Sequence, residues 1–152
     1  MNSYLFTQNV EQINYQESVN RLEEGSVLFF PQYFFTLIEP ELFSENLLDG
    51  SRKNISYDLR TQKLSAYKKE FEGLNNKLLY MMQGYSKFAH QLIQKTIPSY
   101  IPYLQWGRTS FRPAQIQGRV SSKRKDDTRL HVDSFSASPV HGLRILRVFC
   151  NV

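Results

Sequence analysis

Between Leu64 and Ile97 apolar residues recur at three- and four-residue steps: Leu64, Tyr67, Phe71, Leu74, Leu78, Met81, Met82, Tyr85, Phe88, Ala89, Leu92 and Ile93. That spacing lines one side of an α-helix, so the stretch predicts a long amphipathic helix that ends before Pro98 and Pro102. Gly73 and Gly84 lie within it, and because glycine weakens a helix interior they are expected to split it. A shorter helical pattern runs from Val10 to Glu24, with Val10, Ile13, Val19 and Leu22 facing inward and Gly25 as its stop. SVLFFP follows as a buried strand that Pro31 closes. Residues 33–50, rich in aromatics and leucine, predict one or two short helices before the Asp49–Gly50 turn.

Beyond Pro102 the period changes. YLQWGRTSFRPAQIQGRV, SSKRKDD, TRLHVDSF, SASPVHG and LRILRVFCNV read as strand segments joined by polar turns. The pattern implies one α+β domain over 1–152, with a mainly helical part at 1–102 and strands at 103–152. Leu143 to Val152 is strand pattern with no partner strand after it, as though a sheet were cut off midway.

Composition narrows the function classes. Hydrophobic residues at 41% and aromatics at 14% belong to a folded protein. The longest apolar runs are far shorter than the roughly 20 residues of a membrane-spanning helix. The first basic residue is Arg21, so the N-terminus lacks the pattern of a secretory signal. Cys150 is the sole cysteine, which fits a reducing compartment. A cytoplasmic protein is expected.

Charge is divided along the chain. Residues 1–76 hold seven Lys or Arg and eleven Asp or Glu, a net of −4, whereas 77–152 hold twelve and three, a net of +9. A field of that sign draws an anionic partner: nucleic acid, an acidic lipid headgroup or a small carboxylate. No nucleic-acid motif accompanies it, so nucleic acid is not the expected partner.

RLHVDSF, residues 129–135, carries the most specific chemistry. On a strand, His131 and Asp133 emerge on the same face, so an imidazole and a carboxylate can meet one cation. Two histidines and one carboxylate on one face of Fe(II) is the ligand set of non-haem iron oxygenases, and a His-x-Asp supplies two of the three. Alone, the tripeptide is a weak signal, and an aspartate that orients or pairs with a surface histidine is the commoner reading. Its setting among strands suited to a jelly roll favours the metal.

The ordered pieces TSFRP (109–113), GR (118–119), KDDTRLHVDSF (125–135) and HGLRILRVFCNV (141–152) resemble the Kdo hydroxylase family. These are Fe(II)/2-oxoglutarate-dependent dioxygenases of Gram-negative bacteria that act on the 3-deoxy-octulosonic acid of lipopolysaccharide. The resemblance is strong after Tyr103 and weak before it. It implies an N-terminal helical part and an incomplete double-stranded β-helix (jelly roll), with His131 and Asp133 as iron ligands. It also implies O₂ and 2-oxoglutarate as co-substrates, and hydroxylation of Kdo in a lipid A precursor to Ko. Family members continue beyond Asn151 and Val152, and the distal histidine and the basic residue that clamps 2-oxoglutarate have no matching position here. His141, only ten residues past His131, does not fit the distal ligand. The chain is therefore expected to be C-terminally truncated, and either inactive alone or completed by a second, C-terminal chain.

Arg108, Arg112, Arg119 and Arg129 are candidates for binding the acidic substrate, since a guanidinium meets a carboxylate bidentately; structural ion pairing is the alternative. Lys123, Arg124 and Lys125 form either a phosphate-receiving turn or a solvated loop. Trp106 and Phe111 are expected in the core rather than on a sugar ring, Cys150 as a buried apolar residue, and His90 as a surface or packing histidine. A peripheral contact with the inner membrane follows from a lipid-linked substrate. The competing readings are a catalytically dead fragment and a basic anion-binding module.

Overall fold

The structure is a computed structural model that describes residues 4–37, 39–49, 52–68, 70, 72–114 and 139–151. The chain divides into two units, 1–114 with 150–152, and 115–149; of the latter, 139–149 are described. As expected from the alternation of helical and strand patterns, helix and sheet are mixed.

The first unit begins with a parallel strand pair, β1 (Leu5–Thr7) and β2 (Val27–Phe29), joined through helix α1 (Tyr15–Glu23). Leu5 pairs with Val27, Phe6 with Leu28 and Thr7 with Phe29. Asn14 caps α1 by accepting the Glu17 N–H at 3.1 Å, which satisfies one of the orphan amides of the first turn. Gly25 closes the helix with φ +86°: its N–H reaches Leu22 O at 3.0 Å and the Ser26 N–H reaches Arg21 O at 2.8 Å. This double bond pattern is the Schellman cap, which needs a left-handed residue. The helix is shorter than the pattern implied because Val10–Gln12 forms a separate 3-10 turn. Ser18 is its one fully buried residue, donating to Gln8 Oε1 at 2.9 Å. β2 is not a buried strand: only Leu28 is covered, and Val27 and Phe29 are exposed, because α1 shields one face of a two-stranded ribbon.

The core lies between α2 (Glu72–Thr96) and a three-stranded antiparallel sheet ordered β4-β3-β5, with β3 at Ile55–Asp58, β4 at Lys63–Ser65 and β5 at Arg108–Phe111. Alternation puts Ile55 and Tyr57 inward, opposite Phe111 and Leu64. Leu78, Met81 and Met82, one helical turn apart on α2, join Leu42, Leu47 and Leu48 against them. The two leucines at 42 and 47 come from 3-10 turns at Pro40–Leu42 and Glu45–Leu47, in the stretch expected to hold short helices.

α2 runs unbroken past Gly84, whose Cα faces the Phe35 ring; a Cβ there would sit 3.6 Å from it. The helix starts at Glu72 rather than near Leu64, because Leu64 belongs to β4 and Tyr67 bridges Leu48. Phe35 meets Tyr85 edge-on and Tyr33 stacks on Phe88, so an aromatic layer covers the middle of α2. Lys77 donates to Glu39 and Glu41 and pins the 39–42 turn to the helix. No described helix is long and apolar enough to cross a membrane.

In the second unit, Val140–Leu143 makes a turn closed by Leu143 N–H to Val140 O at 2.8 Å. His141 and Gly142 both have positive φ, +50° and +80°, as the centre of a type I′ turn requires. The expected strand at 143–149 pairs with no described strand, although exposed Ile145, Arg147 and Phe149 alternate with half-buried Leu146 and Val148.

Candidate functional site

β5 carries Arg108 and leads into Arg112, the two described arginines among the candidates for binding an acidic group. TSFRP spans Thr109 to Pro113. Phe111 is 7% exposed and meets Phe43 edge-on at 6.1 Å, so it anchors the strand in the core rather than facing a ligand. Arg112 donates its Nε–H to Asn54 Oδ1 at 2.8 Å, and Pro113 is buried. The chain therefore leaves the sheet after Phe111, with Phe111, Arg112 and Pro113 each held.

Arg108 and Arg112 lie four residues apart on the face opposite Thr109 and Phe111. Arg108 pairs across the ladder with Asp58, its Nε 3.7 Å from Asp58 Oδ2, and Asp58 also stands opposite Lys63 of β4. Asp58 Oδ1 accepts the backbone N–H of Thr61 at 2.9 Å and of Arg60 at 3.0 Å. The Thr61 amide is the main reason its carboxyl is held below the ordinary aspartate range; Arg60 adds to it. Asp58 and Asn54, the partners of the two arginines, were not singled out from the sequence. The Asp-x-x-Thr spacing of an Asx turn was the available signal for Asp58.

The other expected residues fall as follows. His131, Asp133, Arg119 and Arg129 lie outside the described residues, as do Lys123, Arg124 and Lys125. His141 is an exposed turn residue. Trp106 is not in the core: it is 41% exposed, with its ring 4.9 Å from that of His90. Cys150 is half-buried and accepts the Phe35 N–H at 3.4 Å; burial, and secondarily the charge of Cys150, push Tyr85 up to about 12. Among the described residues no group of three or more His, Cys, Asp or Glu is placed to hold a metal ion. A hollow lined by Gln8, Phe30, Gln32 and Tyr33 encloses about 80 Å³, well under the roughly 300 Å³ of small ligand pockets.

Comparison with solved structures defines the class. The chain is similar to the crystal structure of the Kdo hydroxylase KdoO, a non-heme Fe(II) alphaketoglutarate-dependent dioxygenase, in complex with cobalt(II): 36% identity and a TM-score of 0.76, covering 90% of this chain and 48% of that one. The apo form gives 36% and 0.74 over 89% and 48%. The complex with alphaketoglutarate and Fe(III) gives 35% and 0.73 over 89% and 47%. A search of curated proteins finds no match. Residues 6–152 match the profile of the 3-deoxy-D-manno-oct-2-ulosonic acid (Kdo) hydroxylase family, and the chain belongs to that family. It spans about half the length of the solved structures that it matches.

Proposed function

We propose that this chain carries part of an Fe(II)/2-oxoglutarate-dependent dioxygenase that hydroxylates Kdo in a lipid A precursor. The observation that carries the reading is the family match, which extends over the His131-x-Asp133 motif. The donor set fits the metal: a neutral imidazole nitrogen and a carboxylate oxygen are ligands that Fe(II) accepts, with coordination positions left open. When bound, iron would supply the O₂ and 2-oxoglutarate chemistry that inserts a hydroxyl group. His131 and Asp133 would hold it, and the third protein ligand and the 2-oxoglutarate clamp would come from sequence matching the other half of the solved relatives, on this polypeptide or on a complementing one.

The arginines suit an acidic sugar. Arg108 is exposed at its end of β5, and Arg112 is oriented by Asn54, which reduces the rotamer freedom lost on gripping a carboxylate. Arg119 and Arg129 are proposed for the same role on the strength of their charge alone. We place the protein in the cytoplasm, at the inner face of the membrane that holds its lipid-linked substrate; the 103–152 segment would contribute the first strands of a jelly roll to a single domain.

The test is succinate formation on incubation with Fe(II), 2-oxoglutarate and a Kdo-containing lipid A precursor, with and without a polypeptide matching the other half of KdoO. Activity above that of His131→Ala and Asp133→Ala is expected in the completed protein. Equal succinate from wild type and both variants would sink the ligand assignment.

A further inference from the structure

From Gly73 to Lys125 the chain contains no aspartate or glutamate, while Lys77, Lys87, Lys95, Arg108 and Arg112 fall in its described part. The outward face of α2 runs through this stretch. Lys87, Gln91 and Gln94 are exposed and sit at i, i+4 and i+7, so they share one stripe. Trp106 packs on His90 at one rim of the stripe, and Lys95 lies over the Tyr33 ring at the other, 5.5 Å from its centroid. Beside it the 3-10 turn Pro98–Tyr103 presents Tyr103, 86% exposed. That turn is not a fraying end, since the Tyr100 hydroxyl donates to Glu23. The N-terminal end of α2 is different, because Lys77 is engaged there by Glu39 and Glu41.

A large exposed tryptophan and tyrosine beside lysines that form no ion pair among the described residues is costly on a surface meant only for water. It is the composition of a membrane-interface contact, in which indole and phenol rings sit at headgroup depth and lysines meet lipid phosphates. We infer that the face of α2 from Lys87 to Lys95, with the Tyr103–Trp106 turn, docks on an anionic bilayer surface. The patch deepens the proposed function, and rests on it in that only a lipid-linked substrate gives the enzyme a reason to sit on a bilayer. Exposure and charge carry the patch independently of the iron motif.

Trp106 is the sole tryptophan, so its emission reports on the patch directly. Titrating the 152-residue protein with phosphatidylglycerol vesicles should shift the emission to the blue and allow quenching by bromine placed high on the acyl chains. Phosphatidylcholine vesicles should do neither. Lys87→Gln and Lys95→Gln should each lower the partition coefficient roughly fivefold, and Tyr103→Ala should lower it further, with unchanged far-ultraviolet circular dichroism. Lys63→Gln, in β4, removes the same charge away from the patch and should have little effect. An unshifted emission, an equal loss in Lys63→Gln, or salt-sensitive retention on RNA that Lys87→Gln abolishes while vesicle binding persists would overturn the inference. No metal or turnover enters the assay, so its failure leaves the iron reading as it stood, and failure of the succinate assay leaves the patch.

Discussion

Replacing Leu78 by alanine removes the side chain on which α2 and the sheet converge. Leu78 is fully buried, on the same face as Met81 and Met82 and within the cluster that contains Ile55, Tyr57 and Phe111. Loss of a buried leucine costs its transfer free energy plus the cavity left behind, about 3 kcal/mol within a range of roughly 2–5. Strand and helix meet here as rigid elements, so little collapse into the cavity is expected. For a unit of about this size each kcal/mol lowers the melting temperature by roughly 4 °C, which predicts a fall of about 12 °C. In urea the midpoint should drop by about 2 M with an unchanged slope. Tyr80→Ala, two residues on and 81% exposed, is the internal control and should stay within about 0.5 kcal/mol of wild type. Urea unfolding followed by circular dichroism decides the matter. If Leu78→Ala costs under about 1 kcal/mol, or Tyr80→Ala costs as much, the assigned inward face of α2 is wrong.

Glycines 84 and 25 should respond in opposite directions. Gly84→Ala meets the Phe35 ring at ordinary contact distance and gains helix propensity, so it should stabilise by about 0.5–1 kcal/mol in thermal melts. Gly25→Ala, at φ +86°, should destabilise by about 1 kcal/mol or more. Asn14→Ala should cost about 1 kcal/mol through the lost cap of α1, visible as a lower urea midpoint. Asp58 has a folded pKa below its ordinary value of 3.8, so the stability it contributes is complete above that value and is lost as pH falls through the folded pKa. Asp58→Asn should therefore flatten the wild-type decline in stability below about pH 4; an identical acid limb in both proteins would refute that role.

The long helix was legible because its apolar positions repeat over many turns, and no short-range competitor imitates that. Its start was misplaced by Leu64 and Tyr67, which happen to keep a helical step while pairing as strand residues. β3 was not legible at all. ISYD is four residues with only Ile55 and Tyr57 apolar, and what makes it the central strand is pairing with residues 63–65 and 108–111, contacts that no local pattern records. Trp106 was misread for the converse reason. Its hydrophobicity argues for burial, but it sits in the irregular stretch between Tyr103 and Arg108, with its ring against that of His90. The His131-x-Asp133 reading rested on residue identity and two-residue spacing, and it lies outside the described residues.

The TSFRP segment has a structural meaning that its resemblance alone did not supply. Phe111 packs in the core cluster, Arg112 donates to Asn54 and Pro113 is buried, so the end of β5 is held by the first unit. The buried members of the core cluster come from residues 42–111. A structural and a substrate-side duty of Arg112 can be told apart, because Asn54→Ala removes one hydrogen bond to its guanidinium without removing the charge. If Arg112 serves only the fold, Arg112→Lys and Asn54→Ala lower stability alike and leave substrate affinity unchanged. If it also meets the sugar acid, Arg112→Lys raises KM beyond what the loss of stability explains.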